Sequence, residues 1–507
     1  MSSTTTTTVT THGETTGIPP CNEIIQTLVE AGLGHRLLLP TNSAYESRIE
    51  SWWALNSRLH PWCIVQPHNA EEVSTILKAL LKTGSDSNNS NNGEWHIAVR
   101  SGGHGPRYTN NIDNGVTIDL AHMNQASYNR ETNIASIGAG GRWATVLAEL
   151  QKEDVFVPGG RDGSVGVGGF LLGGGLNYFM GRQGLGCDSI KNFEVVLASG
   201  KIVNANAQEN SDLWRALRGG GSNFGIVTRF DMDALPSRNI SYGLRMMSSD
   251  YTSEFVDAVV HFTDHFHEHD GDALVPWVMH TSRLAHVGVV AAAIYVNTEG
   301  DENSTAFDRI KQIPNIHPDR TFTDSYAVAA ERSQMAGGAW TTNATLTFKN
   351  DKQIITRVVD LHSQFVQTLM HALGGENFDS MSFLQPLPGF IGDISNKKGG
   401  NVLGLETRHN MIMWTGGILV KTNQNDYDMA HGKLMALMAD IKSYAASVDG
   451  EGRLKYMNYA DPSQDCLGSY GEENVEFIRQ VAARYDPTAV FQKLVPGGWK
   501  ISRVGVE

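Results

Sequence analysis

Between Gly159 and Gly186 the string GGRDGSVGVGGFLLGGGLNYFMGRQGLG packs 12 glycines into 28 residues, where ordinary composition supplies about two. An interior glycine costs a helix about 1 kcal/mol relative to alanine, so no plain helix spans this stretch. Further glycine turns stand at 102–105, 138–141 and 219–225, each beside a strand-like run. Any one of them is accounted for by a tight turn or bulge. Their recurrence points to a long groove in which backbone approaches something that leaves no room for a Cβ. A dinucleotide pyrophosphate is the first such group to test. The common nucleotide motifs fail: Gly166-Val167-Gly168 has Leu171 where a third glycine belongs, Gly138-Ala139-Gly140 has Trp143, and no Walker A loop is present.

Periodicity organises the rest. A strand at Cys63–Gln66 precedes an amphipathic helix carrying Val73, Ile76, Leu77 and Leu80, a βα unit. The polar run Gly84–Gly93 reads as a surface loop, and strands resume at Trp95–Arg100, Val116–Leu120 and Ile134–Gly138. A helix over Trp143–Gln151 follows, then strands at Phe193–Leu197, Lys201–Asn204 and Ile226–Phe230 around a helix at Asp212–Leu217. The first region ends near Pro236. From about Asn239 to Glu451 glycine thins and longer elements alternate, including a helix over Glu254–His269 and a buried strand over Val287–Val296, as in helices layered on an antiparallel sheet. A helix over Glu472–Tyr485 closes the pattern before Asp486-Pro487.

Charge and chain features narrow the functions. A formal net charge of −14 over 507 residues is the wrong sign for a phosphate-backbone partner, so nucleic acid is not expected. No apolar run reaches the roughly 20 residues of a membrane span. The Thr-rich start lacks a basic, apolar and small-residue signal pattern, and four scattered cysteines form neither a metal cluster nor a disulfide framework; a reduced, cytoplasmic setting is expected. His261, His265, His267 and His269 lack metal-site spacing and read as a helix face, so no metal is expected.

The strings Val99-Arg100-Ser101-Gly102-Gly103-His104, VGVGG at 165–169 with GGG at 173–175, and NSDLWRALRGGGSNFGIVT at 210–228 resemble the FAD domain of the vanillyl-alcohol-oxidase and p-cresol-methylhydroxylase superfamily. Tyr456-Met457-Asn458-Tyr459 and Tyr485-Asp486-Pro487 with Phe491 resemble its berberine-bridge-enzyme-like branch. The resemblance covers about 58–236 and 452–499. It implies an α+β fold: a bipartite PCMH-type FAD-binding domain, with a substrate domain of antiparallel sheet and covering helices inserted in it. The boundaries expected are a tail with N-terminal helices at 1–57, the FAD domain at 58–236, the substrate domain at 237–451 and a completing segment at 452–507.

The resemblance further implies FAD bound through a bond from His104 to the flavin 8α-methyl carbon. A second, cysteinyl bond is not expected, because Asp162 stands where many relatives carry the cysteine; Cys187 is expected to pack. Cofactor contacts carried over are Arg100, Ser101, Gly102, Gly103, His104, Gly105, Tyr108, Gly160, Gly163, Ser164, Val165, Gly166, Gly168, Gly169, Gly174, Gly225, Ile226, Val227 and Asn458. Tyr456 is the candidate base, or a wall packed on the ring, with Asn458 near the flavin. Val165 is the small residue that goes with oxygen access, and Phe170 replaces a histidine common in relatives. Trp277, Trp340, Phe383 and Trp414 are candidate pocket walls. The expected reaction is oxidation of a small organic molecule with electrons passed to oxygen, giving hydrogen peroxide. A non-redox cyclisation, or a dehydrogenase with another acceptor, stays open. The substrate and oligomeric state are not legible.

Overall fold

The computed structural model describes residues 19–86 and 95–505. Its first layer grows from the βα unit. Asn69 accepts a hydrogen bond from the Glu72 N–H and starts the helix Ala70–Asp86, which buries Val73, Ile76, Leu77 and Leu80 completely. That helix is the crossover that parallel strands require. Cys63–Val65, Gly115–Asp119 and His96–Arg100 accordingly lie parallel in that spatial order, with Leu37–Leu38 antiparallel at the edge.

A five-stranded antiparallel sheet follows, ordered Ala126–Asn129, Ile134–Gly138, Ile226–Asp233, Ile190–Val196 and Ile202–Asn206. Leu235–Pro236 returns to pair with Val155–Phe156. The third sheet has seven strands, all antiparallel: Thr321–Ser325, Asn239–Ser248, Val290–Asn297, Asp272–His280, Phe378–Leu387, Met411–Val420 and Trp340–Lys349. Helices Thr252–His265, Lys352–Leu373 and Gln424–Ser447 pack on it and on one another. Side-chain caps open the two long ones: Asp351 accepts from Gln353 and Ile354 N–H, and Asn423 from Asp426 N–H.

The C-terminal segment then returns to the first region. The Ile97 N–H donates to Leu494 O at 2.8 Å, and the Tyr470 hydroxyl donates to Gly219 O at 2.9 Å. The fold is thus the mixed helix and sheet type expected, with strands before Pro236 and chain after Gly452 forming one body.

Several local expectations change. Residues 84–86 continue the helix instead of opening a loop, while 87–94 lie outside the described residues, as does the Thr-rich start. The run from Val287 forms a strand only from Val290; Ser282–Val287 is a turn of 3-10 helix with Val287 44% exposed, because Gly288 at φ 80° breaks the extended chain. The helix expected to reach His269 stops at His265 and tightens into Phe266–Glu268. Among the described residues, no helix is long and apolar enough to cross a membrane, and no group of His, Cys, Asp and Glu could hold a metal ion.

Candidate active site

Two glycine loops meet back to back. One follows the strand His96–Arg100, and the other leads into the short helix Val167–Leu172. A Cβ on Gly102 would lie 2.5 Å from both Cα and N of Gly166, so the backbones touch with no side chain between them. Arg142 ties the pair: one guanidinium nitrogen donates to Gly102 O at 2.6 Å and the other to Ser164 O. Ser101 brings in the turn at 138–141, its hydroxyl donating to Ala139 O at 2.6 Å and accepting from Gly168 N–H at 3.1 Å. Gly159 and Gly160 lie against the Trp143 indole, and Gly163 fits against the Ala144 methyl. Gly169 differs: it is exposed, and a Cβ there would meet nothing within 4 Å.

His104 sits beside this junction, half-buried, its ring stacked on Trp53 at 4.9 Å and 22°. Its Nε2 lies 2.8 Å from Ser164 Oγ, which lies 2.6 Å from Asp162 Oδ1. Burial pushes the imidazole down to about 4, with nearby Asp162 opposing and Arg142 adding to the shift. The ring is therefore neutral at pH 7. Among the described residues Nδ1 has no partner.

Across from the loops, the strand-like approach to Met457–Tyr459 delivers two tyrosines with different surroundings. Tyr456 is 2% exposed, and its phenol oxygen accepts from the N–H groups of Gly175 and Leu176, at 2.7 and 3.0 Å, and from Asn458 Nδ2 at 3.1 Å. Burial pushes this phenol well above its ordinary value, the three donors working against the shift. Such an oxygen is engaged on every side. Tyr456, read from the sequence as the candidate base or a wall packed on the ring, holds the 173–176 turn through this oxygen. Tyr459, three residues on, is half-buried, with its oxygen 3.1 Å from an Arg161 guanidinium nitrogen. Arg161 donates its other terminal nitrogen to Gln385 Oε1 at 2.6 Å and lies over the Tyr178 ring. Asn458 Nδ2 also donates to Phe170 O at 2.9 Å, and its side chain fills the space a Cβ on Gly173 would need.

The other expected residues divide. Gly103 approaches the Arg100 guanidinium in a left-handed turn (φ 76°), and Gly105 is closed in by Thr109 and Asn110. Gly174 at φ 120° lies against the Tyr456 ring, and Val165 is half-buried. The Arg100 side chain is not brought to the groove. It is fully buried, stacked 3.4 Å over Trp52 and donating to Ser51 O and Oγ, because the strand turns it toward the N-terminal helices. The Tyr108 ring is also apart, 52% exposed with Arg107 over its face. Gly225 is small because Val195 and Val196 pack on it, and Ile226 and Val227 are buried in the central strand of the five-stranded sheet. Of the aromatic walls, Trp277 and Phe383 lie with ring centroids 5.5 Å apart, tilted by 35°, whereas Trp414 is fully buried, donating to Ser382. His261 and His265 stack on each other at 4.1 Å, and a ring nitrogen of His265 is engaged by His261 O.

Sequence reading missed Arg161, Tyr459, Gln385 and Trp53. The first two had a signal: Arg161 is a charged residue inside the glycine string, and Tyr459 completes YMNY. Trp53 and Gln385 reach the site from segments outside the motifs.

A model described as FAD binding domain matches residues 61–206. The chain is 33% identical over 491 residues to the FAD-dependent monooxygenase drtC of Aspergillus calidoustus, covering 97% of this chain and 92% of that one. It belongs to this family of FAD-dependent oxidoreductases. Another relative of this FAD-linked enzyme is the FAD-dependent monooxygenase sdcF of Emericella nidulans, 32% identical, covering 95% of this chain and all but 1% of the relative's length (99%). Among solved structures, Physcomitrella patens BBE-like 1 superposes with a TM-score of 0.71 at 17% identity, covering 92% of this chain and 97% of that one. Glucooligosaccharide oxidase of Acremonium strictum, described with a 6-S-cysteinyl, 8α-N1-histidyl FAD, superposes with a TM-score of 0.72 at 18% identity, covering 92% and 98%. At those identities the likeness concerns the fold.

The residues present fit FAD. Open space faces Gly169, bare backbone lines the loop junction, and an unpartnered imidazole nitrogen stands beside it.

Proposed function

We propose that this FAD-linked oxidoreductase holds its flavin by a single bond from His104 and oxidises a small organic molecule, with dioxygen taking the electrons. The observation that carries the reading is His104 itself: neutral, half-buried at the glycine junction, with one ring nitrogen tied and the other free. A neutral imidazole nitrogen is a competent nucleophile. Asp162 occupies the site of the second attachment in many relatives, and Cys187 is fully buried with Sγ 3.8 Å from Asp188 Oδ1, which supports one bond.

Bound FAD supplies a two-electron acceptor for cleavage of a substrate C–H bond. The chain supplies the proton chemistry. Tyr459 takes the proton from the substrate hydroxyl or amine as that bond breaks. Arg161 places a positive charge beside the oxygen on which negative charge develops, and Gln385 fixes the guanidinium. Tyr456 and Asn458 form the rigid floor under them. The relatives above 30% identity are named FAD-dependent monooxygenases with no substrate in the name, which leaves the substrate at the level of a small organic molecule. The same names favour a second reading, insertion of an oxygen atom into the product.

One experiment separates the readings. With a turned-over substrate under labelled dioxygen, the first predicts one hydrogen peroxide per product and no label in the product. Label in the product with little peroxide establishes the second. Acid precipitation tests the linkage: flavin in the precipitate, mapped to the His104 peptide, is expected, and free flavin in the supernatant refutes it.

A further inference from the structure

We infer that Asp162 and Ser164 are positioning residues that hold His104 in the tautomer with a bare Nδ1, and so select that nitrogen for bonding to the flavin. This rests on the covalent reading above and on the N1-histidyl linkage described for the Acremonium strictum oxidase, and adds what in this chain prepares that nitrogen.

The argument is a count of protons. Ser164 has one hydroxyl proton, and its oxygen lies 2.6 Å from Asp162 Oδ1, a carboxylate oxygen that only accepts. The proton therefore points at Asp162. What Ser164 Oγ presents to His104 Nε2, at 2.8 Å, is a lone pair. Only an N–H at Nε2 makes that contact a hydrogen bond, and a neutral imidazole has one N–H. Nδ1 is left with its lone pair free; the other tautomer would set two lone pairs against each other.

The carboxylate cannot swing away. Asp162 Oδ1 also accepts the Ser164 N–H at 2.7 Å, and Oδ2 accepts the Met335 N–H at 3.0 Å. The ring plane is held as well, because Trp53 stacks on it while anchored by its own N–H to Gly103 O and by its indole to Met335 O. Asp162 and Arg142 are the charged groups acting on the ring, and burial outweighs Asp162 to keep it neutral.

The bond-making step balances through this relay. An Nδ1–C bond replaces one C–H bond of the 8α-methyl group. The methyl proton leaves to solvent, and the Nε2 proton passes by way of Ser164 toward Asp162. The two electrons released pass to dioxygen, which leaves with two protons as hydrogen peroxide. A residue in the position of the family's second attachment thus serves the first one.

The test uses full-length chain produced without flavin, given FAD in air and sampled over time. Non-covalent binding is followed by fluorescence quenching, and covalent flavin by retention in acid precipitate. With FAD saturating, so that any change in non-covalent affinity is separated from the attachment step, Ser164→Ala is expected to attach the flavin about 10- to 100-fold more slowly, the usual cost of removing a residue that orients a reacting ligand. Ser164→Thr, which keeps the hydroxyl, restores the rate. NMR of the wild-type flavin peptide is expected to show an Nδ1 linkage, a readout independent of how any variant folds. Attachment by Ser164→Ala at the wild-type rate, or an Nε2 linkage, overturns the positioning role alone. Wild-type protein that releases all its flavin in acid overturns the covalent reading beneath it.

Discussion

Gly102→Ala tests whether the junction of the two glycine loops is the keystone of the cofactor groove. The new methyl would sit 2.5 Å from Gly166 Cα and N, whereas carbon contacts rest at about 3.5–4.0 Å, so the loops must part by about 1 Å. Inserting a methyl into packed surroundings costs about 1–3 kcal/mol. Both partners here are backbone, which places the cost near the upper end, about 3 kcal/mol. Spread over 507 residues at about 2.1 cal/mol/K each, this lowers the unfolding midpoint by only about 3 °C. The local consequence is larger, because Arg142 and Ser101 bridge the same gap. A misplacement of about 1 Å costs a reacting pair about 10²-fold, so attachment of flavin in air should slow by that order. Gly169→Ala is the control: with nothing within 4 Å, the flavin-free chain should keep its stability or gain up to about 1 kcal/mol, while FAD binds more weakly. Calorimetry of the flavin-free chains and acid-precipitable flavin after FAD addition read both effects. Wild-type midpoint and wild-type flavin attachment in Gly102→Ala would refute the reasoning.

Tyr459→Phe should keep its flavin and lose about 10²–10⁴-fold in kcat, measured by flavin reduction in an anaerobic stopped flow; an unchanged reduction rate removes Tyr459 from the proton step. Tyr456→Phe should instead lower thermal stability, by about 1–3 kcal/mol for each stranded donor, since Gly175 and Leu176 N–H lose their acceptor; an unaltered melting curve would show that those groups find another. His431 lies 2.8 Å from Asp461, whose hydrogen bond raises the imidazole above its ordinary value; burial raises Asp461, but the bonds from His431 and Ser463 prevail and lower it. The stabilisation from His431 is full below the unfolded value of about 6.5 and lost as pH rises through the raised folded value. That from Asp461 is full above about 3.9 and lost as pH falls through the lowered one. The melting difference between wild type and His431→Gln should therefore be largest between about pH 4 and 6.5 and shrink at pH 9; a difference that grows with pH would contradict the pairing.

Local pattern made much of this legible. The strand Ile134–Gly138 and the helices Trp143–Gln151 and Glu472–Tyr485 follow the periodicity residue for residue, because each buries one face against a neighbouring layer. The His104 loop was legible for another reason: close backbone contact such as Gly102 against Gly166 leaves only glycine acceptable, and that constraint is written in the chain. What separates the two tyrosines was not. Tyr456 and Tyr459 differ only in what surrounds their oxygens, a turn at 175–176 for one and Arg161 for the other, and neither environment is local in sequence. The surroundings of Arg100 are equally non-local, since its guanidinium packs between Trp52 and the underside of the Gly103 turn. The Val287 end of its strand failed because one glycine, Gly288, overrides apolar continuity.

The return of the C-terminal segment has a consequence for biosynthesis. Asn458 braces Phe170, Tyr470 reaches Gly219, and Leu494 receives the edge of the strand that carries the His104 loop. Nearly three hundred residues separate the loop at 170 from Asn458, so the groove cannot take its finished shape while that stretch is still being translated. Closure of the groove therefore waits for synthesis through Leu494, which makes it a late event in folding.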